Sequence, residues 1–460
     1  MRLLTRLTLA VLGAASLLPV LRAAEDTAAD EKMIRAIYDS ALTSSPAYEN
    51  LRELTTKYGG RLAGSKALEG AVRWGEATLK ATGAERVELQ PAMVPHWERG
   101  SKESVTFTSG ATTAPLSAVA LGGSVPTPAG GVTANVVELQ SLDELPKTDV
   151  KGKIVFFNRP MNPKYVIPGN SYRDAGDQRN RGAGEAGKYG AVGVLVRSLT
   201  HARDDVPHTG NTTYLPDSPK IPAAALGIVS AERLSAALKA DRDLKVSLTI
   251  HSRWFEDAPS HNVVGEIKGA QFPDKYILVG GHLDSWDIAP GAHDDGSGIV
   301  QSIEVMRLLK SVGYQPRHSL RVVLFTNEEN GLRGATAYST LARERKEQHI
   351  LAVETDTGGF QPRGFNLGNP AGDAHLKAAR WKALFEPYSI WYFQAGSGGA
   401  DVNPLLAQGA TVAGLQPDSQ RYFDIHHTTE DSLDKVNKRE LELGAAAMAS
   451  LIYLIDKYGL

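Results

Sequence analysis

Cysteine is absent from the whole chain. Disulfides are therefore excluded, and stability rests on a core that 460 residues are enough to build. A lipid-modified N-terminal cysteine is excluded as well. So are thiolate metal ligands, which leaves His, Asp and Glu to hold any metal. A strong excess of one charge is also missing. The formal net charge is -2, which points neither to nucleic acid nor to an anionic membrane surface. The N-terminal apolar run, Leu7 to Leu21, falls short of the about 20 residues a spanning helix needs, and Pro19 interrupts it. Arg2 and Arg6 precede this run and Arg22-Ala23-Ala24-Glu25 follow it. A basic start, a short apolar segment and small residues read as a secretory signal over 1–24, cleaved near Ala23 or Ala24. Loss of Arg2, Arg6 and Arg22 would take the formal charge from -2 to -5. The expected location is secreted or periplasmic, with no membrane contact after cleavage.

The composition is that of a globular protein, 42% hydrophobic and 22% charged, and the length suggests more than one domain or one with a large insert. Residues 31–90 read as helical, with Leu51, Leu54, Tyr58 and then Leu68, Val72, Trp74 and Leu79 near helix spacing. Residues 111–250 change texture. Pro and Gly become frequent between short β-rich runs: Val132 to Leu139, Lys153 to Phe157, Val192 to Val196 and Leu244 to Ile250. This reads as an inserted β-rich module carrying a helix near Ala231 to Leu238. It splits a main domain into parts at 25–110 and 251–460. From His261 onward strands and helices alternate, which predicts an α/β fold around a mostly parallel central sheet flanked by helices. Strand candidates are Asn262 to Ile267, Tyr276 to Val279, Leu320 to Thr326, Ile350 to Glu354 and Thr411 to Leu415. Helix candidates are Ile299 to Ser311, Gly334 to Glu347, Ala374 to Phe385 and Arg439 to Tyr458. The last is apolar but amphipathic and reads as a packed terminal helix.

In open α/β sheets, ligands bind at the carboxyl ends of strands. His282 and Asp284 follow one predicted strand; Asp287, Asp294 and Asp295 crowd the same glycine-rich turn. Glu328 and Glu329 follow the next strand, Asp356 another, and His426 and His427 come after the last. Each piece alone has a bland reading: a surface His-x-Asp pair, acids at a helix start, an Asp-Asp-Gly turn. Together, at successive strand ends, they point to one metal site. Glu354 competes with Asp356 and His426 with His427. His293 reads as a solvent-facing turn residue.

The set His282-Leu-Asp284, Gly291 to Gly298, Asn327-Glu-Glu-Asn-Gly331, Glu354-Thr-Asp356 and His426 to Asp431 resembles the zinc-dependent exopeptidases of the aminopeptidase and glutamate carboxypeptidase type. Gly60 to Ser65 and Val94 to Gly100 share that resemblance, which spans nearly the whole mature chain. It implies that residues 111–250 are a protease-associated domain. It implies two zinc ions per subunit on His282, Asp294, Glu329, Asp356 and His427. Asp294 would bridge, sharing one ion with His282 and Asp356 and the other with Glu329 and His427. Two ions about 3.5–4 Å apart suit such a bridge. Glu328 would be the general base; only the resemblance separates its role from that of Glu329. The resemblance makes Asp284 the acceptor that orients the His282 ring, and implies a cis bond between Asp294 and Asp295. Family spacing favours His427 and Asp356 as ligands. His426, Ser397 and Asp401 become candidates for the substrate pocket, although Ala400-Asp401-Val402 stands where many relatives carry Ser-Asp-His.

The expected activity is hydrolysis of dipeptides or short peptides with free termini, by a homodimer that the resemblance suggests. Two other readings keep the fold. A glutaminyl cyclase-like acyltransferase would use one zinc, and a receptor-like homologue would be non-catalytic. The complete ligand set counts against both. In the related two-zinc deacetylases the insert follows the Glu-Glu pair, whereas here it precedes His282.

Overall fold

The computed structural model describes residues 26–460; the expected signal segment lies outside the described residues. Two eight-stranded sheets organise the chain. The first runs in the order Arg86–Glu98, Arg253–Ile267, His318–Phe325, Phe272–His282, Gln348–Glu354, Thr411–Pro417, Pro362–Gly368, Tyr392–Ala395. Its central strands, from His318–Phe325 to Thr411–Pro417, pair in parallel. They are buried on both faces, which is why Ile277-Leu278-Val279 and Leu351-Ala352-Val353 are continuous apolar runs rather than alternating ones. Pro362–Gly368 and Tyr392–Ala395 also pair in parallel, so parallel pairings outnumber antiparallel ones four to three, and the flanks add the antiparallel ones. Arg86–Glu98 and Arg253–Ile267 pair antiparallel, as do Arg253–Ile267 with His318–Phe325 and Pro362–Gly368 with Thr411–Pro417. The sheet is mixed.

Helices Thr27–Ser44, Ala47–Lys57 and Lys66–Thr82 account for the first apolar periodicity. The helical reading to residue 90 overruns: Gly83 turns left-handed at φ 92° and the chain enters strand Arg86–Glu98. Pro91 and Pro95 fit there because this is an edge strand, where a missing N–H leaves no ladder partner unpaired. Lys438–Tyr458 packs against Ser297–Ser311, with Leu441, Met448, Leu451 and Leu454 fully buried. Among the described residues no helix is long and apolar enough to cross a membrane. The expected helix Ala374 to Phe385 breaks into Ala374–Ala378, a tight turn at Ala379–Trp381, and Lys382–Phe385.

The second sheet has the order Thr112–Leu116, Ser104–Ser109, Lys245–Thr249, Val132–Leu139, Ile154–Phe157, Gly193–Arg197, Ala223–Leu226, Ala118–Ala120. It begins at Ser104, upstream of the expected 111. The glycine-rich stretch after Ile167 forms three short helices, Pro168–Ala175, Asp177–Asn180 and Gly182–Lys188. The two sheets are tied near the strand ends. Arg99 forms a two-pronged pair with Asp287 at 2.6 and 2.8 Å, and Trp97 Nε1 donates to the Ser124 carbonyl at 2.9 Å. Asp287 is thereby a structural anchor.

Candidate metal centre and active site

The register of the parallel strands aligns their carboxyl ends: His282 lies opposite Phe325, and Gly280 opposite Glu354. Residues after these ends are gathered by close backbone approach. A Cβ on Gly281 would stand 2.2 Å from Asp295 Oδ2, so only glycine lets the strand close on that carboxylate. Asp295 Oδ2 accepts the His282 N–H at 3.1 Å, and its Oδ1 accepts the Gly298 N–H at 3.0 Å at the start of helix Ser297–Ser311. Burial, and next the Asp356 charge, push its carboxyl well above the usual range. The Asp294–Asp295 peptide bond is cis.

Asp294 sits between two histidines. Its Oδ1 is 3.2 Å from His282 Nε2, and its Oδ2 is 3.2 Å from His427 Nε2. Asp356 Oδ1 joins the first side, 3.5 Å from His282 Nε2; Glu329 Oε2 joins the second, 3.1 Å from His427 Nε2. The structure thus brings together all five residues expected at a metal, with Asp294 between the two histidines. Burial favours a neutral Asp294, but His282 and His427 outweigh it and hold the carboxyl well below its ordinary range. Burial raises Glu329 to about 7, with Asp294 adding to the effect.

His426 also reaches the cluster. Its Nε2 is 3.4 Å from Asp294 Oδ2, and its ring stacks on His427 at 3.6 Å. Its nitrogen meets one carboxylate where that of His427 meets two. Glu354 turns the other way: its Oε2 accepts the N–H groups of Asp401 and Val402, both at 3.0 Å. Asp356, two residues on, faces His282.

Asp284 departs from the expected contact. His282 Nδ1 donates to the backbone carbonyl of Asp284 at 3.0 Å, while the carboxylate is 3.7 Å away. That carboxylate instead accepts the N–H groups of Glu328 at 3.0 Å and Glu329 at 3.2 Å. It orients the glutamate pair, and the carbonyl sets the tautomer. His293 is a second correction. It is buried, accepts the Gly359 N–H at 3.1 Å and stacks on Phe360, and burial lowers its pKa to about 4.

Residues without an assigned role in the sequence complete the frame. Asp431 takes the N–H of His293 at 2.7 Å and of Asp294 at 3.0 Å. Buried Arg61 donates to the carbonyls of Leu283, Pro290 and Gly291, pinning the loop after the His282 strand. His427 has φ 60°, a conformation unusual for a bulky side chain. The second module holds it there: Thr209 N–H donates to the His427 carbonyl at 2.9 Å, and His208 Nδ1 to the His426 carbonyl at 2.8 Å. Asp431 and Arg61 stood inside motifs that drew attention; nothing in the sequence marked His208.

A cleft of about 580 Å³ opens over the cluster. Asp294, Glu328, Glu329, Asp356, His426 and His427 line it together with Tyr172, Arg179 and Asn180 of the second module. Burial pushes the Glu328 carboxyl well above its ordinary range. Ser397 and Asp401 are not among the lining residues. Ser397 is exposed, and Asp401 is buried behind Glu354.

The donor set fits a metal. His282 Nε2, Asp294 Oδ2, Glu329 Oε1 and Asp356 Oδ1 are buried ligand atoms with no hydrogen-bond partner, and such atoms are costly unless something binds them. Among the described residues, the groupings of His, Asp and Glu close enough to share an ion all draw on this cluster.

A mixed α/β sheet with this cluster at its strand ends is the frame of a metallopeptidase, and comparison with known proteins gives the same class. The profile of peptidase family M28 matches residues 262–452. The chain is 35% identical to carboxypeptidase Q of Bos taurus, over 91% of this chain and 86% of that protein. It is 34% identical to carboxypeptidase Q of Homo sapiens, over 91% and 87%. The chain belongs to peptidase family M28. The crystal structure of a peptidase M28 precursor from Shewanella amazonensis superposes with a TM-score of 0.89 at 34% identity, covering 93% of this chain and 97% of that one. A zinc aminopeptidase from Bacillus subtilis shares the fold, with a TM-score of 0.66 at 22% identity over 90% and 96%.

Proposed function

We propose that this chain is a two-zinc exopeptidase that hydrolyses dipeptides or short peptides with free termini. One observation carries the reading: the two oxygens of Asp294 stand 3.2 Å from His282 and 3.2 Å from His427, so one carboxylate serves two ligand groups. His282, Asp294 and Asp356 would hold one ion, and Asp294, Glu329 and His427 the other. When bound, zinc supplies acidified water and polarisation of the scissile carbonyl.

The remaining tasks fall to the protein. Glu328 takes a proton from the attacking water and returns it to the leaving amine. Burial raises its carboxyl above the ordinary range, which makes it a better proton acceptor than an exposed glutamate. Asp284, accepting the N–H groups of both glutamates, keeps Glu328 toward the cleft while Glu329 faces His427. The Asp284 carbonyl holds the proton on His282 Nδ1, which frees Nε2 for the metal. Residues 104–249 act as a protease-associated module that narrows the cleft and restricts it to short peptides. Secretion follows from the N-terminal reading, and a homodimer is part of the same proposal.

The test is a peptide panel on zinc-loaded protein, with free and blocked termini, alongside metal analysis. Two zinc ions per chain and cleavage of free short peptides are expected. A single zinc with cyclisation of N-terminal glutamine, or loading without hydrolysis across the panel, would overturn the reading.

A further inference from the structure

Arg99 is not among the residues lining the cleft, yet it holds both halves of the cleft's frame. It is buried and follows strand Arg86–Glu98, where the chain leaves the first sheet for the second. Toward the first sheet it grips Asp287, with Nε at 2.8 Å and Nη2 at 2.6 Å. Toward the second module its Nη1 donates to the Ala120 carbonyl at 2.5 Å, and its Nη2 to the Thr209 hydroxyl at 3.5 Å. Glu103 Oε1 lies 3.4 Å from Nη1 and accepts the Ala120 N–H at 2.9 Å. Both backbone groups of Ala120 are therefore held at one junction. Thr209 is tied in as well, since its hydroxyl donates to the same Ala120 carbonyl at 2.9 Å.

Each of these partners leads to His427. The Thr209 N–H donates to the His427 carbonyl at 2.9 Å. Trp286, beside Asp287 in the chain, meets the His427 ring edge-on at 5.7 Å. Gly122, two residues after Ala120, seats that indole: a Cβ there would stand 1.9 Å from its Cη2. The main chain and the ring of one histidine are thus held by segments that converge on one guanidinium. His427 needs such holding. Its φ of 60° is unfavourable for a bulky side chain, and its Nε2 must meet Asp294 and Glu329 together. An ordinary buried pair between two modules requires only the contact with Asp287. The donation to Ala120, and through it the hold on Thr209, sets Arg99 apart.

We infer that Arg99 is a positioning residue of the metal centre: by joining Asp287 to Ala120 and Thr209, it fixes where His427 stands against Asp294 and Glu329. Its effect on metal rests on the two-zinc reading above; its geometry does not. A guanidinium suits the role because its planar fork puts two N–H groups on one carboxylate and keeps another for a carbonyl. A lysine ammonium is a point charge and cannot reproduce the fork.

Two measurements on Arg99→Gln test this, with Arg321→Gln for comparison. Arg321 is also buried and paired, with Glu266 and Glu347, but neither partner belongs to a histidine loop. In metal-free protein, amide hydrogen exchange reads the bond from Thr209 to His427 directly. Arg99→Gln should lose protection at Thr209, and Arg321→Gln should keep it. In zinc-loaded protein, competition with a chromophoric chelator should show the Glu329–His427 side weakened roughly tenfold or more, with the His282–Asp356 side spared. Arg99→Lys should recover part of the melting temperature without recovering that zinc affinity. If Arg99→Gln does not fold, Asp287→Asn, which weakens the anchor and leaves the guanidinium in place, carries the same two readouts. A lower melting temperature with Thr209 protection and both zinc affinities unchanged would overturn the inference and leave Arg99 a structural pair. So would equal weakening of both metal sides, or the same losses in Arg321→Gln. A single zinc in wild type would count against the two-zinc reading. Thr209 exchange in metal-free protein would then still decide the matter, lost protection supporting the role of Arg99 and retained protection refuting it.

Discussion

Asp431 shows how a single carboxylate can govern a metal centre without touching the metal. Its two oxygens take the N–H groups of His293 and Asp294, fixing the backbone from which the Asp294 side chain springs. Burial raises its pKa to about 7. Asp431→Asn keeps one acceptor oxygen and presents a donor where the second stood. One buried N–H is then unpaired, at a cost of about 1–3 kcal/mol, and zinc content should fall. Urea titration together with metal analysis checks both parts; unchanged zinc affinity would separate Asp431 from the centre. Glu328→Gln should behave in the opposite way. Zinc stays, and turnover falls by about 10²- to 10⁴-fold, the usual contribution of a positioned general base. Near-normal turnover in that variant would remove Glu328 from the mechanism.

At the level of elements, a loop of the second module holds a loop of the first. His208 and Thr209 carry the carbonyls of His426 and His427, and His427 would not keep φ 60° without such support. His208→Leu should therefore weaken zinc at the Glu329–His427 side about tenfold or more, as partners behind a ligand commonly do, with the Asp356 side spared. Competition with a chromophoric chelator resolves the two sites, and uniform weakening would contradict the assignment. The strand Gln348–Glu354 offers a pH test away from the centre. His349 is buried, with Nε2 2.8 Å from the Tyr338 hydroxyl, and burial, then Arg321, lowers its pKa to about 3. Its unfolded value is about 6.5. Between the two values the unfolded chain binds a proton that the folded one does not, so this contribution is intact above about 6.5 and declines as pH falls toward about 3. His349→Gln should flatten the acid limb by up to about 1.4 kcal/mol per pH unit. Urea midpoints at pH 7 and pH 5 decide it, and identical slopes would refute the account.

For the whole molecule, the centre is a concentration of buried carboxylates that metal ions would neutralise. Zinc should stabilise the fold by mass action, about 2.7 kcal/mol at a hundredfold excess over Kd, and chelation should lower the melting temperature accordingly. A melting temperature independent of zinc concentration would mean that the cluster does not bind it. Much of this architecture was legible in the sequence. Apolar runs bounded by polar residues revealed the central strands and their carboxyl ends, because a strand buried on both faces leaves that mark locally. The edge strand Arg86–Glu98 was less legible, since prolines and one-sided burial erase the pattern. Arg61, Asp431 and His208 carried no readable role because their partners are remote; Arg61 is 222 to 230 residues from the carbonyls it binds. What the sequence determined by itself was the donor chemistry, oxygen and imidazole without sulfur, and the order in which the donors meet successive strand ends. Tertiary structure alone turned His427 toward two carboxylates and Glu354 away, moved the histidine-orienting contact from a carboxylate to a carbonyl, buried His293 and Asp401, and brought Arg179 of the second module to the same cleft. Side-chain chemistry is a property of the residue, but direction, burial and the neighbour across the cleft arise only when distant segments pack.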